Sequence, residues 1–146
     1  MTQPALPRLV RVRQHFPRPR VADIRATVIA EMRPLLKASA IGPGKRVGIT
    51  VGSRGIQNIV PMLAAAAEAV RETGAAPVFL AAMGSHGGGT RAGQAELLAS
   101  FGISEATVGA EVVTCAPPGE GGVTATGLPA STRASAFRAH GLVAAP

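Results

Sequence analysis

The chain has 146 residues, of which 47% are hydrophobic and 16% charged. That is enough apolar material for one domain with its own core and too much for wholesale disorder. Cys115 is the single cysteine and the formal charge is +7, which excludes an internal disulfide and a cysteine-rich zinc site. No apolar run approaches the roughly 18 residues of a membrane span. The first residues, Met1 to Pro7, lack the apolar stretch of a signal peptide, so a soluble cytoplasmic protein is expected.

The charge is unevenly placed. Residues 1–46 hold ten Lys and Arg against Asp23 and Glu31, whereas residues 47–146 hold five Arg against six carboxylates. Basic arms bind phosphate backbones by releasing counterions, but single-strand binders also need stacking aromatics. The chain has no Trp or Tyr, and its four Phe do not interleave with the basic run. Composition therefore argues against nucleic acid and for a solvated, arginine-rich leader and helix face.

Residues 1–20 read as that leader, rich in Pro and Arg, with Leu9, Val10 and Val12 suggesting one edge strand. Pro17 and Pro19 stop regular structure. The apolar residues Val21, Ile24, Val28, Met32, Leu35 and Leu36 follow helical spacing, with Pro34 predicting a kink or an end near Arg33. After the Gly42-Pro43-Gly44 turn, Val47, Ile49 and Val51 alternate with small or polar residues as a strand. Gly52-Ser53-Arg54-Gly55 follows. Asn58 is placed to cap a helix with Pro61 in its first turn, running to a stop at Gly74. Pro77 to Met83 is a continuous apolar run, the pattern of a strand buried on both faces.

Gly84-Ser85-His86-Gly87-Gly88-Gly89 comes next, then a helix opened by Thr90, carrying Leu97, Leu98 and Phe101 and ended by Gly102. A strand is expected at Glu111 to Cys115, a loop at Pro117 to Gly127, a short helix at 131–140 and the start of a buried strand at 141–145.

This β-α-β-α-β order predicts an α/β fold: a Rossmann-like, parallel or mostly parallel sheet with flanking helices. Residues 21–146 form its single domain, incomplete at the C-terminus. Both Gly-rich loops, 52–55 and 84–90, would leave the carboxyl ends of neighbouring parallel strands, where open α/β sheets bind ligands. Arg54 and His86 should then share one rim. Arg54 suits a bidentate grip on a carboxylate or phosphate. His86 has a side chain that takes or gives a proton near neutral pH. Gly87, Gly88, Gly89 and the Thr90 helix start form a candidate anion cradle, although the segment matches neither GxxxxGK[ST] nor GxGxxG. The run from His86 to Gly89 also matches an esterase oxyanion loop, but the G-x-S-x-G elbow which that chemistry needs is absent. Three distant histidines, His15, His86 and His140, share no metal-ligand spacing, and Cys115 reads as a buried small residue.

Val47 to Gly55, Met83 to Thr90, Gln94, Glu96-Leu97-Leu98 and Phe101-Gly102-Ile103 together resemble the N-terminal domain of the nickel-dependent lactate racemase family (LarA-like proteins). The chain departs from better-known members, which carry an acidic residue and a threonine before the arginine, at Val51-Gly52-Ser53. The resemblance implies that Arg54 binds the carboxylate of a small 2-hydroxy acid and that His86 is one of two proton-transferring bases; Ser53, beside Arg54, is a further candidate for substrate binding. It further implies that the second base, the nickel-ligating histidine and the lysine holding the nickel-pincer nucleotide belong to a C-terminal half. A racemase-like domain with no cofactor of its own, inactive alone, is thus one expectation, with a C-terminal-half polypeptide as partner. A non-catalytic anion- or nucleotide-binding module and a degenerate remnant are the others.

Overall fold

The computed structural model describes residues 10–114 and the strands at 118–123, 129–133 and 141–143. Helix α1 (Ile24–Ala38) starts where the Asp23 carboxylate accepts from the Ala26 amide at 2.8 Å. Strand β1 (Arg46–Val51), helix α2 (Ile59–Glu72) and strand β2 (Ala76–Ala81) follow. A tight turn at His86–Gly89 leads into helix α3 (Arg91–Ser100), the one-turn helix α4 (Glu105–Val108) and strand β3 (Glu111–Val113). Strands β4 (Pro118–Val123), β5 (Pro129–Arg133) and β6 (Gly141–Val143) complete the described elements.

The main sheet runs β3-β2-β1-β6 with every pairing parallel. Register is fixed from Arg46 opposite Ala76 to Val51 opposite Ala81. The α/β fold with a parallel sheet flanked by helices is as the alternating pattern predicted. Its cause is visible in the burial. Val47, Ile49 and Val51 pack with Phe79 and Ala81 against α2 in one core cluster. Val78 and Leu80, of opposite parity along β2, are buried as well, so β2 is enclosed on both faces.

Helix α2 is alanine-rich for a packing reason. Ala65, Ala66, Ala67 and Ala69 are all buried, because α2 meets the sheet, α1 and α4 at once, and small side chains let several backbones approach. Two bidentate pairs clamp α1 along α2. Arg25 donates to both oxygens of Glu68, and Arg33 donates to both oxygens of Glu72 at 2.9 Å. Arg46 at the start of β1 pairs with Glu111 of β3 at 2.7 Å. Three arginines of the basic N-terminal stretch therefore meet carboxylates from the remainder of the chain.

Several expectations are corrected. Val10 and Val12 form no strand and are 78% and 72% exposed; nothing in this stretch offers them a partner edge. Helix α1 does not end at Arg33 but continues through Pro34 to Ala38. Pro34 lies on the exposed side, so the carbonyl of Ala30 that loses its backbone donor is open to solvent. Asn58 does stand before α2, but its side chain makes no cap bond and its backbone is left-handed, φ 63°; the start of α2 is held instead by the Ile59 amide on the Ile56 carbonyl at 3.2 Å.

The expected loop after Pro117 contains strand β4, and the expected helix at 131–140 begins as the end of β5, which pairs antiparallel with β4. Backbone pairing between two strands needs no hydrophobic period. Pro118 and Pro129 each stand first in their strands, where a lost amide is tolerated. Leu9, Cys115, His140 and residues 134–140 lie outside the described residues.

Candidate functional site

The parallel register sets the site. Val51 and Ala81 are partners at the carboxyl ends of β1 and β2, and the Ala82 amide still donates to the Val51 carbonyl at 2.8 Å. Beyond that pair both strands give way to loops on the same rim. One carries Ser53 and Arg54, the other His86. β1 is also where strand order reverses. The chain adds β2 and β3 on one side of β1 and β6 on the other, and such a switch point opens a crevice at the carboxyl ends.

Across that rim the Ser53 hydroxyl is hydrogen-bonded to Nδ1 of His86. Ser53 is half-buried and His86 exposed. The contact has a chemical consequence. A serine hydroxyl donates to an unprotonated Nδ1 or accepts from a protonated one, so it bonds either neutral tautomer, and it accepts when both nitrogens are protonated. The same contact therefore holds the ring before and after it takes up a proton. Nε2 has no hydrogen-bond partner among the described residues. Arg54, next to Ser53, is exposed and makes no ion pair among the described residues. Arg25, Arg33 and Arg46, by contrast, are tied to carboxylates.

The glycine loop is tightly organised. The His86 amide donates to the Met83 carbonyl at 3.1 Å, closing the turn out of β2. The Thr90 hydroxyl accepts from the Gly93 amide at 3.1 Å and donates back to the Gly87 carbonyl at 3.2 Å. Thr90 thus caps α3 as its residue type predicted, and in doing so spends its hydroxyl inside the loop. Gly87, Gly88 and Gly89 all have φ between 65° and 67°, a left-handed run that side-chain-bearing residues resist.

Two residues that sequence reasoning left without a role complete the arrangement. Gln94 is 0% exposed, and its amide Nε2 donates to the Gly84 carbonyl at 3.1 Å. Gly93 lies so close to the loop that a Cβ there would stand 2.0 Å from the Gly87 carbonyl oxygen. A glycine in the first turn of a helix and a polar residue one turn before buried Leu98, on the same helical face, were the available signals.

Two described clefts lie elsewhere. One, of about 500 Å³, lies between Pro19, Arg20, Gln57, Asn58 and Met62, and another, of about 450 Å³, adjoins Arg33, Ser39, Pro43 and Glu72. Neither includes Ser53, Arg54 or His86. Among the described residues no three His, Cys, Asp or Glu side chains converge; they offer no donor set for a nickel ion, and no step through a metal is assigned to them. No described helix is long and apolar enough to cross a membrane. His15 lies in the exposed leader.

The sequence matches no protein-family model, and neither a curated protein nor a solved structure is significantly similar to it.

Proposed function

We propose that the rim formed by the loops after β1 and β2 binds a small organic anion, a 2-hydroxy carboxylate, and that it is the N-terminal domain of a lactate racemase-like enzyme. Arg54 receives the carboxylate, since its guanidinium has no internal partner among the described residues and follows the strand at the switch point. His86 exchanges the proton of the substrate hydroxyl through Nε2. Ser53 orients the imidazole. The observation that carries the reading is the Ser53–His86 hydrogen bond, which ties the two strand-end loops into one site. On this reading the described residues bind the acid and move a proton, while the hydride chemistry of such a racemase would be supplied by a nickel-pincer nucleotide.

Calorimetric titration of the purified chain with D- and L-lactate, glycolate and malate tests this. Charge-assisted hydrogen bonds contribute roughly 1.5–3 kcal/mol each, so Arg54→Ala should weaken hydroxy-acid binding roughly tenfold to a hundredfold. Unchanged affinity in that variant overturns the assignment of the clamp. Tighter binding of inorganic phosphate or a nucleotide than of any hydroxy acid would favour a phosphate-binding module on the same rim.

A further inference from the structure

A loop of glycines beside a strand end is usually read as a flexible cover. The packing here argues the opposite. The turn at His86–Gly89 is wedged against the first turn of α3. A Cβ on Gly87 would stand 2.5 Å from the Gly93 carbonyl carbon and oxygen and 2.6 Å from the Gln94 amide nitrogen, and a Cβ on Gly93 would strike the Gly87 carbonyl in return. The two glycines interlock backbone to backbone. Gln94 then fastens the other end of the loop. Its side chain is fully buried and donates to the Gly84 carbonyl, two residues before His86.

A buried amide side chain is retained at an expense in desolvation unless its hydrogen bonds are made. The Gly84 carbonyl, at the exposed exit from β2, would otherwise turn to water. The loop is thus pinned at Gly84 by Gln94, at Gly87 by Gly93 and Thr90, and at His86 by Ser53 across the rim.

We infer that Gln94 is a positioning residue for His86: its buried amide, with the Gly87–Gly93 interlock, presets the imidazole at Ser53 so that the loop is a fixed platform and not a lid. The inference rests on the anion-site reading only in taking His86 as the proton-handling group. Preset orientation matters because a proton-transfer group must stand within hydrogen-bond reach of its target, and a misplacement of about 1 Å can cost roughly a hundredfold.

The test uses the full ¹⁵N-labelled chain without ligand. Gln94→Met keeps the volume and removes the donor. Expected are at least tenfold faster amide hydrogen exchange over Gly84–Gly89, unchanged protection in β1 and β2, and ring ¹⁵N shifts of His86 that move toward those of exposed His15. The ring readout separates positioning from a general loss of stability, which would raise exchange in the strands as well. Loop exchange and ring shifts identical to those of the parent chain overturn the inference.

Should Gln94→Met fail to fold, the parent chain carries the test. The Gln94 side-chain NH₂ protons must exchange far more slowly than those of exposed Gln57, and exchange as fast as Gln57 rejects the lock. A chain that shows the lock but binds no hydroxy acid rejects the proposed function and leaves this inference standing. A chain that binds lactate through Arg54 with a loop indifferent to Gln94 does the reverse.

Discussion

Gly93 shows how a residue's local preference and its surroundings can disagree, and magnitudes decide which wins. Alanine is favoured over glycine inside a helix by about 1 kcal/mol, so propensity alone makes Gly93→Ala stabilising. The Cβ would stand 2.0 Å from the Gly87 oxygen and 2.8 Å from its carbon, both backbone atoms that cannot rotate aside. Forcing α3 away from the loop costs about 1–3 kcal/mol or more, as overpacking does. Gly93→Ala is therefore expected to lower the denaturation midpoint, and a rise in Tm would show that the loop yields easily. Ser53→Ala removes the contact on His86 with little change in volume. The ring ¹⁵N shifts of His86 in that variant should move toward those of exposed His15 while Tm stays nearly constant. At this scale the sequence was legible in part. Arg54 and His86 were found from their places after two strands, but the pairing of Ser53 with His86 required the register, and the burial of Gln94 required knowing which face of α3 turns inward.

Between elements, the main device is the pair of arginine forks that lay α1 along α2. Arg25 and Arg33 are two helical turns apart, and Glu68 and Glu72 one turn apart, so both forks reach from one face of α1. These pairs are exposed, and exposed pairs contribute little to stability singly; their use is in fixing the angle and register of α1, while Ile29 and Leu36 supply the apolar seal. The two hydrogen bonds from Arg33 hold the Glu72 carboxyl below the usual carboxylate range. A depressed folded pKa means that the unfolded chain binds more protons in acid. The contribution is complete above the unfolded glutamate value of about 4.3 and is lost as pH falls through the lower folded value. Glu72→Gln should accordingly flatten the fall of Tm below about pH 5 and leave the neutral Tm close to that of the parent; an unaltered acid slope would show that Glu72 takes no part in it. Element existence was legible wherever a period was strong, as in α1, β1, α2 and β2. The extent of α1 was not, because the rule that proline ends a helix assumes a buried carbonyl one turn back, and Pro34 faces water. Strands β4 and β5 were hidden because their Gly- and Pro-containing sequences carry no alternation for the eye to follow.

For the molecule as a whole, the lopsided charge of the sequence is partly resolved by folding. Arg25, Arg33 and Arg46 reach across to Glu68, Glu72 and Glu111, so the basic run divides into a neutralised part, folded onto the domain, and a part in the leader whose arginines are free among the described residues. The parallel run of β1, β2 and β3 was legible from the order of patterns, since alternating strands and helices with right-handed crossovers leave few arrangements; the pairing of β6 with β1 was not. The division of the basic run was not, because it depends on which carboxylates the fold brings near. The free part makes a separate prediction. Residues 1–22 contain Arg8, Arg11, Arg13, Arg18 and Arg20 and no acidic side chain, so their removal takes away five of the seven excess positive charges while leaving Asp23 to cap α1. Residues 10–22 are exposed throughout, Val10, Val12, Phe16 and Val21 included, so little burial is lost with them. A chain comprising residues 23–146 should melt within a few degrees of the full chain, because the core that sets the midpoint is untouched. It should elute from a cation exchanger at clearly lower salt and lose most of its low-salt affinity for heparin, since each released counterion contributes to that affinity. If heparin affinity and its salt dependence survive the truncation, the folded domain itself carries the polyanion-binding surface, and the exposed Arg54 and Arg91 become the residues to replace next.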